Sequence, residues 1–361
     1  MGDRVVVVGG GYGGATVAKA LDADTDVVLV EPKDAFVHSS AALRALVRTD
    51  WAEKMFLPYD RLLAHGAVLR EKATAVDPGG VLLASGRRVD ADHVVLATGS
   101  AYPYPAKMDT DVTAEALDRL RATRDALDRS PRVLITGAGP VGLELAGEIL
   151  AVWPDKKVTI VDPADRLVPG YLTEVRDELH RQLDALGVDL RLGTRLTVDP
   201  PSAPGVAATF TVDTTGGALT ADIWFRCHGV RVNADMLGRE LAAARNDRGE
   251  IRVTERLTVV DHDTVHAVGD VTDVPEAKRA GHATRHAGVV AANILARVRG
   301  EQPTAAYHPT PVPMVLLPLG PAGGVGQMPT DDGPVALPAE QVSAYKGTDL
   351  LVGRFAELFG R

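Results

Sequence analysis

The chain has 361 residues, enough for two or three domains with ample core. Hydrophobic residues at 45%, charged residues at 24% and a mean hydropathy of +0.01 describe an ordinary globular composition, without the run of roughly 18 apolar residues that a membrane span needs. The net charge of -9 argues against a general nucleic-acid binder, and the single cysteine, Cys227, excludes an internal disulfide, a dithiol redox pair, a zinc ribbon and a cysteine-held iron–sulfur cluster.

Met1 to Arg4 lead straight into an apolar strand, so no signal peptide is expected and a cytoplasmic protein is. That strand, Val5 to Val8, is four consecutive valines, the pattern of a parallel strand buried on both faces. Gly9-x-Gly11-x-x-Gly14 follows where the strand must turn into a helix. The first glycine permits the tight turn, the second removes the Cβ that would block a pyrophosphate, and the third lets helix pack closely on strand. The helix start then offers free N–H groups and partial positive charge to the anion. A helical stretch from Ala15 to Leu21 and a second apolar strand, Val27 to Val30, end in Glu31, an acid placed to bind a ribose 2′-hydroxyl.

Next comes Pro32-Lys33-Asp34, then helical spacing at Leu43, Leu46 and Val47 within residues 35–51. Residues 67–98 read as short strands with turns at 77–80 and 85–88, ending in a second buried strand, His93 to Leu96, and a small-residue corner, Ala97-Thr98-Gly99-Ser100. Two prolines in Ala101-Tyr102-Pro103-Tyr104-Pro105 mark a linker.

The beginning is then repeated. Arg132 to Gly142 superimposes on Arg4 to Gly14 at a constant offset of 128 (132 minus 4), the motif glycines Gly9, Gly11 and Gly14 falling on Gly137, Gly139 and Gly142. Val158 to Pro163 matches Val27 to Pro32, with Asp162 in the place of Glu31. Two chance motifs with two correctly placed acids are improbable, so the chain carries an internal duplication of a dinucleotide-binding unit. The second copy continues through an amphipathic helix with Leu172, Val175, Leu179, Leu183 and Leu186, stopped by Gly187, and through strands near residues 188–190, 209–212 and 222–225. Cys227, at the end of Ile223-Trp224-Phe225, reads as a buried strand residue rather than a nucleophile. Near Gly229 the chain is expected to return to the first unit, so that one nucleotide fold is inserted in another. The returning segment carries Val265 to Asp270, a short strand ending in Gly-Asp, and a helix over 281–298. Residues 304–361 are rich in proline and glycine up to Pro338.

Assembled in this order, the four motifs resemble the flavoproteins with two dinucleotide-binding domains: a glycine fingerprint for FAD, an Ala-Thr-Gly corner, a second fingerprint for NAD(P)H and a late Gly-Asp. Within them the chain looks most like the apoptosis-inducing-factor-like branch of NAD(P)H:quinone reductases, through Ala41 to Ala45, Gly142 to Ala146, Ala291 to Ile294, Gly324 to Gln327 and Lys346 to Leu350. The resemblance implies an α/β fold of two Rossmann-like domains, with FAD-binding parts at 1–103 and 231–303, an inserted NAD(P)H-binding domain at 104–230, and a small α+β interface domain at 304–361.

Carried over by position, it places Gly9, Gly11 and Gly14 at the FAD pyrophosphate, Glu31 at the adenosine ribose, Thr98 and Gly99 beside the cofactor and Asp270 toward the ribityl chain. It places Gly137, Gly139 and Gly142 at the NAD(P)H pyrophosphate, Asp162 at its ribose and Glu144 at the nicotinamide. Gly13, Lys33, Arg44, Val76, Ala97, Val141, Gly229 and Gly269 complete the cofactor-binding set that it implies. Lys346 matches a lysine near the flavin; Lys278 is a second candidate cation, and for each a solvated lysine is the competing reading. His38 lies close enough to approach the flavin, with a structural histidine as the favoured alternative. No metal site is expected.

The implied activity is hydride transfer from NAD(P)H to FAD and onward to a quinone or similar small acceptor. A reductase for a partner redox protein, a tailoring enzyme for a quinone-like metabolite, and a redox-sensing binding protein are the alternatives. Asp162 favours NADH over NADPH, with Arg166 working against it. Val6 stands where a myristoylation signal wants Ser or Thr, so lipid anchoring is not expected. For the terminal apolar residues Leu350 to Phe359, packing of a terminal helix is favoured over contact with a membrane surface.

Overall fold

In the computed structural model, which describes residues 2–312 and 314–361, the valine run forms β1 (Arg4–Val8), with its four valines at most 3% exposed. Because side chains alternate across a strand, Val5 and Val7 enter one apolar cluster and Val6 and Val8 another, one on each face of the sheet. Burying each valine contributes about 1.5–3 kcal/mol of transfer free energy, which fixes this strand at the centre. The chain continues through α1 (Tyr12–Leu21), β2 (Asp26–Val30), α2 (Ala42–Val47) and β3 (Ala67–Leu69). An antiparallel three-stranded ribbon over residues 73–90 precedes β4 (His93–Leu96).

The second unit runs through α3 (Thr113–Asp128), β5 (Arg132–Thr136), α4 (Pro140–Val152), β6 (Lys157–Val161), α5 (Thr173–Ala185), β7 (Asp189–Arg191) and β8 (Ile223–Arg226). The chain then supplies β9 (Val265–Ala267) and α6 (Ala280–Val298). The first sheet has the order β9-β4-β1-β2-β3 and the second β7-β6-β5-β8, and every pairing in both is parallel. The place of β9 beside β4 shows the insertion directly: the chain leaves the first sheet after Leu96 and rejoins it at Val265. Outgoing and returning strands lie side by side, Ser100 paired with Val232 and Ala101 with Arg231.

The C-terminal segment forms an antiparallel sheet, β10 (Val315–Leu319), β11 (Gly323–Met328) and β12 (Val335–Leu337), followed by α7 (Val352–Leu358). This sheet sits against the second unit: a Cβ on Gly147 of α4 would stand 2.6 Å from the Leu319 Cα, and Gln182 of α5 bonds both the N–H and the carbonyl of Gly324. The terminal helix instead packs on the first unit. Phe355 and Phe359 are buried among Phe36, Tyr12 and Tyr59, with the Phe359 ring tilted against that of Phe36 at 4.9 Å between centroids. Its aromatic residues therefore face the core, the packing favoured from the sequence. Among the described residues no helix is long and apolar enough to cross a membrane.

Candidate functional site

Two cradles of the same construction lie at the carboxyl ends of the central strands. In the first, Gly9 turns at φ +102° where a side chain would strike the Ala97 carbonyl, and a Cβ on Gly14 would fall on the Gly9 carbonyl oxygen. Gly11 differs: among the described residues, chain neighbours aside, no atom lies within 4 Å of where its Cβ would stand. It precedes α1, whose first N–H groups have no side-chain cap. Glu31, at the end of β2, accepts the Gly10 N–H at 2.6 Å and the Lys33 N–H at 2.9 Å. Burial pushes its carboxyl above the ordinary carboxylate range, against the pull of those two N–H groups.

The second cradle repeats each feature. Gly137 has φ +104°, a Cβ on Gly142 would strike the Gly137 carbonyl, and the space around a Gly139 Cβ is open within 4 Å. Asp162 accepts the Ala138 N–H at 2.6 Å, as Glu31 does that of Gly10, and the Ala164 N–H at 2.8 Å. Helix α4 begins after Gly139 without a side-chain cap. Gly229, at φ +92°, is equally open on its Cβ side.

Beside the first cradle, the corner after β4 is tied to the returning chain. The Thr98 hydroxyl donates to the Asn233 carbonyl at 2.5 Å, and Asn233 returns Nδ2 to the Thr98 carbonyl at 3.0 Å. Gly99 holds φ +63°, with open space beside it. Asp270 accepts the Ser100 hydroxyl at 2.5 Å and lies 3.4 Å from the Lys107 ammonium, which also donates to the Ser100 carbonyl and hydroxyl. Lys107 carries no signal in the sequence, because its partners lie 7 and 163 positions away and no periodicity links them.

Glu144, on α4, and Lys346, in the C-terminal segment, meet at 2.8 Å, and Lys346 also reaches the Leu316 carbonyl. Burial raises the Glu144 carboxyl; Lys346 opposes the shift and the nearby Glu148 adds to it. Two residues singled out separately in the sequence thus meet across 202 positions.

Other candidate site residues hold partners within the protein. Arg44 was expected at the cofactor, but its Nε and Nη2 donate to Glu148 and its Nη1 to the carbonyls of Gly347 and Thr348, all of it buried. Val76 was expected there too, yet its side chain is 1% exposed in the cluster beneath β1, and its N–H and carbonyl are taken by Met236 and Gly238. Lys278 does not join the Glu144–Lys346 pair; its ammonium is held by Glu250 at 3.1 Å and the Thr272 carbonyl at 2.5 Å. His38 spends both ring nitrogens on the Leu350 carbonyl and the Tyr12 hydroxyl.

The remaining positions fall as follows. Lys33 rests its ammonium on the Thr110 carbonyl and Asp111, next to Glu31. Gly13 is a packing glycine against Val268, Ala97 is buried behind Gly14, and Val141 opens α4 half-buried. Gly269 gives its N–H to His286 Nδ1 at 3.0 Å, a half-buried contact not legible in the sequence. Cys227 is 3% exposed, and burial pushes its thiol up to about 12, so it is inert as a nucleophile at neutral pH.

A cavity of about 470 Å³, lined by Thr254, Thr258, His266, Asn293 and Arg297, lies at the amino end of β9, away from both glycine loops. Each cradle offers instead an open second glycine, a helix start without a side-chain cap and an acid bonded to the backbone of the turn, features that suit a dinucleotide.

Comparison with known proteins agrees with this geometry. Residues 3–289 match the pyridine nucleotide-disulphide oxidoreductase family. The chain is 33% identical over 344 residues to human ferroptosis suppressor protein 1, covering 90% of this chain and 88% of that protein. It is 30% identical over 345 residues to apoptosis-inducing factor homolog B of Dictyostelium discoideum, covering 90% and 89% respectively. In fold it is similar to the sulfide:quinone oxidoreductase of Aquifex aeolicus, with a TM-score of 0.78 at 17% identity over 99% of this chain and 91% of that one. The lone buried Cys227 departs from the dithiol that the family's description evokes, so whatever this chain reduces, it does not do so through a cysteine pair. With two nucleotide cradles, their order and these relatives in agreement, the chain belongs to the pyridine nucleotide-disulphide oxidoreductase family, in its apoptosis-inducing-factor-like branch, and is an NAD(P)H-dependent flavin oxidoreductase that uses FAD.

Proposed function

We propose that this chain takes hydride from NADH, in preference to NADPH, onto FAD and delivers the electrons to a quinone or a similar small acceptor. The observation that carries the reading is the duplicated cradle, with Glu144 from one unit and Lys346 from the C-terminal segment joined at 2.8 Å. FAD, when bound, supplies the hydride-accepting ring and the route onward to the acceptor. The protein's part is alignment and charge. Gly9, Gly11 and Gly14 with the start of α1 hold the FAD pyrophosphate, Glu31 its adenosine ribose, and Asp270 its ribityl chain, with Thr98 and Gly99 alongside. Gly137, Gly139 and Gly142 with the start of α4 hold the reductant's pyrophosphate, Glu144 orients the nicotinamide, and Lys346 sets a positive charge beside the flavin ring. On this reading the FAD-binding parts are residues 1–103 and 231–303, the NAD(P)H-binding part 104–230 and the interface part 304–361.

Asp162 supports the choice of NADH. Two backbone N–H groups fix its carboxylate at the end of β6, where it accepts a 2′-hydroxyl and repels a 2′-phosphate. Arg166, the cation nearest in sequence, is paired with Asp165 at 3.5 Å. We expect kcat/KM for NADH to exceed that for NADPH by roughly tenfold or more, about 1.4 kcal/mol. An NADPH advantage in steady-state assays would defeat this assignment.

A pH dependence follows from Glu144. Only its ionised form makes an ion pair with the Lys346 ammonium, and burial raises its pKa above the ordinary 4.5. The rate of flavin reduction is expected to fall on acidification with an apparent pKa above that value. A rate that holds level down to the ordinary glutamate range speaks against the role. For stability the sign is opposite: a raised carboxyl contributes fully below its unfolded pKa, and that contribution is lost as pH rises through the folded one.

The acceptor is tested by turnover. Fast NADH oxidation with a soluble quinone supports the proposal; turnover only after a ferredoxin-like protein is added would replace it with a protein reductase, and a long-lived reduced complex with a redox sensor.

A further inference from the structure

We propose that Arg44, together with Glu148, is a positioning residue for the Lys346–Glu144 pair, an inference that rests on the functional reading above. The Arg44 guanidinium is 1% exposed and lies 4.8 Å over the Trp51 ring. Its Nε sits 3.0 Å from both Glu148 oxygens and its Nη2 2.6 Å from Oε1, while Nη1 donates to the Gly347 carbonyl at 2.6 Å and the Thr348 carbonyl at 3.1 Å.

Two of these contacts are one step from the pair itself. Glu148 stands four residues after Glu144 on α4, on the same face of that helix. Gly347 directly follows Lys346 and ends the π-helical turn Ser343–Gly347, whose last carbonyl has no partner within the turn and is taken by Arg44. One planar fork on α2 thereby fixes the helix turn that carries Glu144 and the backbone step that carries Lys346. A lysine offers no such fork, being a point charge on a flexible stem.

Stability does not account for the arrangement. Replacing a buried ion pair by packed apolar side chains is often neutral or favourable, whereas removing one partner strands the other charge. What the pair adds over an apolar plug is geometry, and hydride transfer is the function that geometry limits, since a displacement of about 1 Å costs on the order of a hundredfold in rate.

The test uses the full-length flavin-loaded protein as wild type, Arg44→Met, and the double variant Arg44→Met with Glu148→Leu. Flavin content, Tm and single-turnover bleaching by saturating NADH under anaerobic conditions are measured for each. We expect Arg44→Met to melt lower, and the double variant to recover Tm and hold its flavin. The double variant should still bleach roughly tenfold or more slowly than wild type, with the flavin–nicotinamide charge-transfer absorption weakened. Bleaching at the wild-type rate in the folded double variant would show that the pair only stabilises the fold and would overturn the proposal. Failure of the double variant to retain flavin would overturn it as well, by making the pair part of the flavin seat. A wild-type protein that does not bleach contradicts the functional reading itself, which separates the two failures.

Discussion

Gly139→Val is expected to give a protein that is fully yellow and that NADH does not bleach. Gly139 lies in extended backbone at φ −75° and ψ 178°, which valine adopts without strain, and among the described residues, chain neighbours aside, no atom stands within 4 Å of its Cβ position. The fold therefore has no reason to resist the side chain. The two methyl groups project into the seat of the pyrophosphate at the start of α4, where the phosphates must approach the backbone to reach its N–H groups. The apparent Kd for NADH should rise by at least about a hundredfold, some 2.7 kcal/mol. FAD content and Tm should stay near wild type, because the change lies in the other unit. Anaerobic titration followed at the flavin absorption band measures this; unchanged affinity would mean that the second cradle does not seat the reductant.

Its counterpart, Gly11→Val, should produce a folded, colourless protein. Gly11 has φ −71° and ψ −165°, and the same open surroundings. The expected loss is most of the bound flavin, a weakening of about a hundredfold or more, while circular dichroism and the melting of the flavin-free protein remain as in wild type. The neighbouring glycines do not allow this separation. A Cβ on Gly14 or Gly142 would strike the carbonyl of the loop's first glycine, so substitution there damages the strand–helix junction along with the seat. A Gly11→Val protein that purifies yellow would relocate the FAD site.

What could be read from the chain alone was whatever is encoded locally. The valine run, the glycine spacings, the acids at Glu31 and Asp162, and the helix 172–186 with its Gly187 stop each depend on neighbours within one or two turns; the helix observed is Thr173–Ala185 and Gly187 has φ +71°. The repeat at an offset of 128 made the second cradle as legible as the first. The C-terminal sheet was less so, since β10 contains Pro318 and β11 three glycines, residues that propensity assigns to turns. These strands form because α4 and α5 pack against them closely enough to need a bare backbone, as at Gly147.

The site's long-range partners were out of reach of pattern. Arg44 meets Glu148 across 104 positions and the Gly347 carbonyl across 303, and its place within the stretch Ala41 to Ala45 gave no hint of those partners. The partners of Val76 are distant as well: its N–H donates to the Met236 carbonyl and its carbonyl accepts from the Gly238 N–H. Lys107 gathers Ser100 and Asp270 only because the linker folds back beside β9.

The central claim is that two nucleotide cradles face each other across one flavin. Its most direct test is the absorption spectrum of the purified protein, supplied with FAD, recorded anaerobically before and after one equivalent of NADH. The expected result is a flavin spectrum that bleaches on mixing; a protein that stays colourless, or whose flavin band persists with either NADH or NADPH, would contradict it.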